Sequence, residues 1–304
     1  MLTEYLASSL ILTTDFIRDV ADTADERYNK FGIPKKNGAT RVVYQPQKEL
    51  KILQRVLHSE FLVKLKVHSS STAYSDGSSV IKNANLHKNK KFLLRLDFVD
   101  FFKSIRSSDI RLFLNERGSE LSDQWTNDDS DVFLKLVCFK GRLTMGGVTS
   151  PAISNLICYK LDSALSEICL SLGVTYSRYA DDMYFSTNVP NVLFSMPNRL
   201  IKILRSIDYP RSLYINTEKT KHSSKKRSMK ITGLTLTNNG EVSLGREKKR
   251  RIRSLVFNWS NLTVDEKKYL QGYLSYCASV EPLFINSLCE KFSSKIITNI
   301  QKYK

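Results

Sequence analysis

From Lys91 to Phe98 apolar and polar positions alternate as they do in a strand. Phe92, Leu94, Leu96 and Phe98 share one face, and Leu93, Arg95 and Asp97 share the other. Asp97 therefore points away from the more apolar face. Two further strand-like segments, Val174 to Arg178 and Met183 to Ser186, flank Tyr179-Ala180-Asp181-Asp182 and read as a hairpin with two carboxylates at its tip. Between these strands the period becomes helical. Ser107 or Ser108 can cap a helix running to Gly118. From Ser150 or Pro151 to about Leu172, Ile153, Leu156, Ile157, Leu161, Leu165 and Ile168 predict one long helix that Gly173 ends. A later helix over Gly245 to Trp259 would place Arg246, Lys249, Arg250 and Arg253 on one side, with Ile252, Leu255, Val256 and Trp259 on another.

Composition adds a partner to this outline. A chain of 304 residues, 41% of them apolar, can bury a sizeable core and is long enough for about two or three subdomains. No internal repeat or low-complexity linker divides it, so one compact, multi-lobed unit is expected. Its 47 Lys and Arg against 30 Asp and Glu give a formal net charge of +17, the balance of a protein that meets a polyanion. No uninterrupted apolar run approaches the roughly 20 residues that span a bilayer, so nucleic acid fits better than a membrane. The charge is concentrated. From Lys219 to Arg253 twelve Lys and Arg face only Glu241 and Glu247, a net of +10 over 35 residues. The acidic run from Glu116 to Asp131 reads as a solvated helix end and loop.

The segment Met1 to Phe16 carries Glu4 and Asp15 and no basic leader, which predicts a cytoplasmic protein without a signal peptide. The cysteines at 138, 158, 169, 277 and 289 form no Cys-x-x-Cys pair, and their odd number suits a reducing compartment. Each is expected to be a small buried apolar residue.

The carboxylates change the picture most. Neighbouring Asp residues disfavour strands and repel each other at close range, so an apolar hairpin carrying both needs a counter-charge. A divalent cation supplies it, because hard cations take oxygen ligands and Mg2+ typically uses one or two protein carboxylates. Asp97 lies 84 residues before Asp181, so only tertiary folding can join them, and strands adjacent in one sheet would do so. Three such carboxylates could hold two Mg2+ about 3.5 to 4 Å apart, one activating an attacking hydroxyl and the other stabilising leaving pyrophosphate. The competing reading is a surface turn for the hairpin and a helix N-cap for the Asp97 region.

At these residues the chain resembles reverse transcriptases, and within them the bacterial retron type. Residues 179 to 182 match the Tyr-x-Asp-Asp box, and Asp97-Phe98-Val99-Asp100-Phe101-Phe102 resembles the first carboxylate motif. Asn83-Ala84-Asn85-Leu86-His87 matches a retron Asn-Ala-x-x-His motif, and Ile231-Thr232-Gly233 resembles the Val-Thr-Gly motif, with Ile for Val. Ser243 to Glu247 follows in family-like order, so the resemblance covers about residues 25 to 290.

It implies metal ligands at Asp97, Asp181 and Asp182. Phe102, by type alone one more core aromatic, would block a nucleotide 2′-hydroxyl and so select deoxynucleotides. Arg41, in Arg41 to Pro46, would meet the incoming triphosphate, where the planar guanidinium fork suits phosphate. Lys36 would add a second cation, and Gly146 would let backbone approach the nucleotide. Lys219, in Asn216 to Thr220, would protonate leaving pyrophosphate or simply contact phosphate. Asn83, His87, Thr232, Gly233, Arg246, Lys249, Arg250 and Arg253 would bind nucleic acid. One motif departs: Met145 stands where the family usually has Gln beside the nascent base pair.

The implied fold is α+β, a right-hand polymerase with an antiparallel palm sheet. Residues 1–90 would form N-terminal helices and fingers. Residues 91–240 would form a palm with an interleaved fingers segment at about 106–145, and 241–304 a helical thumb. The implied activity is RNA-directed DNA synthesis with two Mg2+ and dNTPs. The enzyme would copy part of a cognate structured noncoding RNA into branched DNA from an RNA 2′-hydroxyl, with a retron effector protein as partner in phage defence. The rivals are a group II intron or other mobile-element reverse transcriptase, whose usual maturase or endonuclease extensions are not expected beyond the thumb, and a structural RNA-DNA-binding subunit.

Overall fold

The computed structural model describes residues 1–34 and 38–303, which leaves Lys36 outside the described residues. Among these the chain forms two compact units. The first comprises Met1–Ser78, Leu94–Phe185 and Pro190–Lys221; the second comprises Ser79–Leu93, Ser186–Val189 and His222–Lys304. Sequence pattern alone predicts one unit. It does not show that Ser79–Leu93 groups with the C-terminal part.

The first unit opens with helices α1 (Leu2–Leu10) and α2 (Thr14–Asp22), then strands β1 (Tyr28–Pro34) and β2 (Thr40–Pro46) and helix α3 (Lys48–Val56). β1 and β2 pair antiparallel, Tyr28 opposite Pro46 and Ile33 opposite Arg41. In chain order there follow helix α4 (Val80–His87), strand β3 (Phe92–Asp97), and helices α5 (Phe101–Ser104), α6 (Ser107–Leu121), α7 (Asn127–Val137), α8 (Ser150–Ile157) and α9 (Tyr159–Ser171). Strands β4 (Thr175–Tyr179) and β5 (Asp182–Thr187) and helix α10 (Met196–Ser206) come next. With β6 (Lys221–Ser224), the central sheet runs β4-β5-β3-β6. Leu93, Leu94 and Leu96 of β3 are buried, as are Met183, Tyr184 and Phe185 of β5, so the sheet is covered on both faces.

Two helix expectations change. α6 starts at Ser107, yet its start is fixed by Asp109, whose carboxylate accepts from the Arg106 backbone N–H at 2.9 Å. It also runs past Gly118 to Leu121. The long helix is two helices that break at Cys158. Before the break the Ser154 hydroxyl donates to the Pro151 carbonyl at 2.7 Å, a local bond that competes with the helical ladder. The acidic run is not wholly solvated either: Asp129 is buried, caps α7 at Thr126 and accepts from the Leu2 N–H at 2.6 Å. Cysteines 138, 158, 169 and 277 are buried, whereas Cys289 is partly exposed.

In the second unit α4 packs on a small antiparallel sheet of β7 (Met229–Ile231), β8 (Leu234–Leu236) and β9 (Val242–Ser243). Helices α11 (Arg246–Phe257), α12 (Val264–Val280), α13 (Pro282–Phe292) and α14 (Ser294–Gln301) form its other part. Their core holds Ile252, Val256, Leu270, Leu274, Phe284, Leu288 and Ile300. Ser79 caps α4 by accepting from the Lys82 N–H, and Asn83 and His87, one turn apart, both face inward.

His87 Nδ1 and Ser186 Oγ share a hydrogen bond of 2.6 Å, and burial pushes the imidazole down from 6.5 to about 3. A folded-state value below the unfolded one means the contribution is complete above pH 6.5 and is lost as pH falls towards 3. At about 1.4 kcal/mol per unit, roughly 2 kcal/mol is gone by pH 5. Denaturant unfolding at pH 7 and pH 5 should show that difference, and His87→Leu should reduce it. An equal pH dependence in the variant would contradict the assignment.

Candidate active site

The three carboxylates meet at strand ends in the first unit. β3 ends on Asp97 and β5 begins on Asp182, and the two are neighbours in the sheet. Asp181 sits in the turn from β4. Ala180 there has φ 58, a left-handed conformation that costs a non-glycine residue about 1–2 kcal/mol and must be held from outside. Two bonds hold it. Arg178 Nη1 donates to the Ala180 carbonyl at 3.1 Å, and the Phe98 N–H donates to the Asp181 carbonyl at 3.3 Å. Beyond β3 the Val99 N–H donates to the Tyr214 carbonyl, and the Asn216 N–H donates to the Asp97 carbonyl at 2.7 Å. The Asn216 side chain then accepts from the Lys219 N–H, closing a short turn that sets Lys219 Nζ 2.9 Å from Asp97 Oδ1.

Burial and repulsion dominate the electrostatics here. Desolvation, then the Asp97 charge, raises the Asp181 carboxyl above its usual range, while Lys219 and Arg41 oppose the rise. Desolvation pushes Asp182 up to about 6 even though Arg95 stands against it. Arg95 Nε and Nη2 lie 2.9 and 2.7 Å from Asp182 Oδ1, and the Tyr184 hydroxyl donates to Oδ2 at 3.1 Å. Both Asp182 oxygens are thus engaged.

Carboxylates raised in this way gain most from a cation, and their oxygens are the donors a hard divalent ion takes. Among the described residues no three His, Cys, Asp or Glu already enclose an ion site. Asp181 lies close enough to Asp97 to feel its charge, and Asp97 keeps Oδ2 clear of Lys219, so this pair could offer oxygens to an ion, whereas Arg95 and Tyr184 engage both oxygens of Asp182.

Around this centre, Phe102 in α5 is partly exposed, while Phe98 and Phe101 beside it are buried and stacked with centroids 5.8 Å apart. Phe102 is therefore not the core aromatic of the competing reading. Arg41 on β2 is exposed. The Tyr44 N–H donates to the Met145 carbonyl at 2.8 Å, which ties the 143–147 loop to β2. Gly146 follows at φ 104, and a Cβ there would fall 2.5 Å from the Tyr44 carbonyl oxygen, so only glycine fits.

Residue type and spacing do not reveal a buried cluster behind the turn. Arg178 and Asp162 are both fully buried, with Arg178 Nη2 2.6 Å from Asp162 Oδ2. The Tyr176 hydroxyl donates to Asp162 at 2.7 Å, and Asn155 accepts from Arg178 while donating to the Ala73 carbonyl. One signal is present: a charge on β4, two residues from Tyr176, meets a helix whose two acids are Asp162 and Glu167, of which Asp162 is buried. Arg95, on the same strand face as Asp97, carries the same kind of signal.

In the second unit the expected nucleic-acid contacts divide. Asn83 and His87 have no exposed surface and belong to the packing of α4. Thr232 and Gly233, at φ 46 and 80, form the β7–β8 turn, where two left-handed residues match the twist of a hairpin. Thr232 Oγ1 donates to the Val80 carbonyl at 3.3 Å. Lys249 pairs with Glu281 and lies over the Phe284 ring, as does Arg253, so both are partly spent on packing. Arg246 and Arg250 are exposed. A cavity of about 810 Å³ is lined by Lys225, Lys230, Gly233, Arg246 and Lys248, among others.

Residues 33–236 match the reverse transcriptase (RNA-dependent DNA polymerase) family. A telomerase from Candida albicans, solved with a TWJ fragment of telomeric RNA, shares the fold at 13% identity and a TM-score of 0.53. That likeness covers 91% of this chain and 56% of the telomerase chain. Fold and family together define an RNA-directed DNA polymerase, α+β with the right-hand architecture and dependent on a divalent metal. The Retron Ec83 reverse transcriptase of Escherichia coli is 34% identical over 287 residues, 91% of this chain and 90% of the relative. The Retron Ec86 reverse transcriptase of the same organism is 30% identical over 293 residues, 96% and 86% of the two chains. The chain belongs to the retron reverse transcriptases.

Proposed function

We propose that this enzyme copies part of its own structured noncoding RNA into branched single-stranded DNA, starting from an RNA 2′-hydroxyl and using two Mg2+. The observation that carries the reading is the convergence of Asp97, Asp181 and Asp182 at adjoining strand ends, with Lys219 on Asp97. In each step the primer hydroxyl oxygen bonds to the α-phosphorus of a dNTP, the bond to the β-phosphate oxygen breaks, and pyrophosphate leaves. When bound, Mg2+ would lower the cost of deprotonating the hydroxyl and neutralise the leaving group.

The chain's own residues do the rest. Asp97 and Asp181, with Asp182 once freed, hold the cations. Arg41 takes the triphosphate, and Gly146 lets the loop backbone approach it. Phe102 excludes a ribose 2′-hydroxyl, and Lys219 is placed to protonate or screen the pyrophosphate. In the second unit, Arg246, Arg250 and the lysine-lined cavity would hold the RNA, by its phosphates and 2′-hydroxyls more than its bases. The fingers, palm and thumb boundaries given above belong to the same proposal. So do a cytoplasmic location, an effector protein and a role in phage defence. No helix among the described residues is long and apolar enough to cross a membrane.

The purified protein, given its cognate RNA, Mg2+ and labelled dNTPs, should make DNA that stays joined to RNA until a 2′,5′-debranching enzyme releases it. EDTA should stop the reaction. A product extended only from a 3′ end would sink the branched-primer reading, and no incorporation at all would sink the polymerase assignment for this RNA.

A further inference from the structure

Arg95 brings a fixed positive charge into the carboxylate cluster. Two of its nitrogens reach the same Asp182 oxygen at 2.9 and 2.7 Å, and Nη2 also lies 3.9 Å from Asp97 Oδ2. Tyr184 Oη takes the other Asp182 oxygen at 3.1 Å. Lys219 lies on the far oxygen of Asp97 at 2.9 Å. Three carboxylates and these two cations leave a local charge of about −1, enough to attract one divalent ion. A second ion would then enter a site of net positive charge, unless a triphosphate arrives with it. An arginine fork gripping one carboxylate is a geometry that a lysine or a water would not reproduce.

We propose that Arg95 is a positioning residue that keeps Asp182 out of the metal site of the nucleotide-free enzyme, so that Asp97 and Asp181 alone hold the first ion. The inference rests on the metal-dependent reading given above. It makes Asp182 a reserve ligand, available only when Arg95 lets go. Removing Arg95 frees a third carboxylate and deletes a competing charge, so metal affinity should rise. A merely structural arginine would act in the opposite direction, because a loosened site binds metal more weakly.

The test is a Mn2+ titration of the full chain, free of nucleotide and nucleic acid, followed by electron paramagnetic resonance, with melting temperature recorded for every variant. The wild-type protein should bind one ion. Asp181→Asn and Asp97→Asn should each lose it, and Asp182→Asn, which removes a charge but no ligand of the first ion, should weaken binding by clearly less than either. Arg95→Met should bind at least tenfold more tightly, and Arg95→Lys, which restores the charge without the fork, should fall between the two. Arg95→Gln serves if the methionine variant does not fold. Unchanged or weaker binding in a folded Arg95 variant would overturn the proposal, as would an Asp182→Asn loss equal to that of Asp181→Asn. Mn2+ binding that survives both Asp97→Asn and Asp181→Asn would instead overturn the metal reading itself.

Discussion

Asp181→Asn should reduce DNA synthesis on the cognate RNA by at least about a thousandfold and leave RNA affinity within about twofold. Charge stabilisation by a catalytic metal amounts to several kcal/mol, and each 1.36 kcal/mol is tenfold in rate, so about 4 kcal/mol corresponds to that loss. Asn keeps the shape of Asp and leaves the turn's backbone bonds from Arg178 and Phe98 in place. It also removes a carboxylate that the fold holds at a cost, since burial and Asp97 both disfavour its charge. The variant should therefore melt no lower than wild type. Single-turnover incorporation, a filter-binding isotherm and a thermal melt separate the three expectations. Synthesis surviving in Asp181→Asn, or in the double variant with Asp182→Asn, would end the assignment of these carboxylates to the chemistry. An inactive variant that also lost RNA binding would show that the site had collapsed instead.

The chemistry of this site was legible because each carboxylate sits in a short motif of its own, although 84 residues separate Asp97 from Asp181. Tyr179 to Asp182 form a turn between two short strands, and the alternation around Asp97 gives both the strand and the face on which the carboxylate lies. What was not legible depends on partners far along the chain. The long helix predicted after Ser150 is two helices with a turn at Cys158, and the Ser154 hydroxyl ahead of it donates to the Pro151 carbonyl, a bond that apolar periodicity does not register. The resemblance assigns Asn83 and His87 to nucleic-acid binding through their Asn-Ala-x-x-His motif, and a motif carries no information on burial. The structure buries both, His87 against Ser186 of β5, and a neutral histidine in a packed core has the same one-letter code as an exposed one. Lys249 and Arg253 sat correctly on one side of a basic helix. Only the position of Glu281 and Phe284 on α13 shows that their charges are partly engaged. Gly146 is the opposite case, where a motif glycine has a physical reason that only the approach of the Tyr44 backbone supplies.

Arg178→Met should destabilise the protein by about 3–5 kcal/mol, the usual cost of stranding one partner of a buried ion pair. Burial alone would discourage the guanidinium's charge, and Asp162 more than offsets it; without Arg178, that carboxylate keeps the Tyr176 hydroxyl as a donor but has lost its counter-charge. Replacing both partners, Arg178→Met with Asp162→Leu, should recover most of the loss, because well-packed apolar residues often replace a buried pair without penalty. Activity should not recover with it. Arg178 is also the donor to the Ala180 carbonyl, and Ala180 holds a left-handed conformation that its side chain disfavours. A double variant that folds like wild type but lacks this bond leaves the turn free to relax, and with it the distance between Asp181 and Asp97. Urea unfolding of the single and double variants, set beside their rates of nucleotide incorporation, separates the two roles. Recovery of both stability and rate in the double variant would reduce Arg178 to a packing residue. Recovery of stability alone would place the buried pair in the machinery that aims the carboxylates.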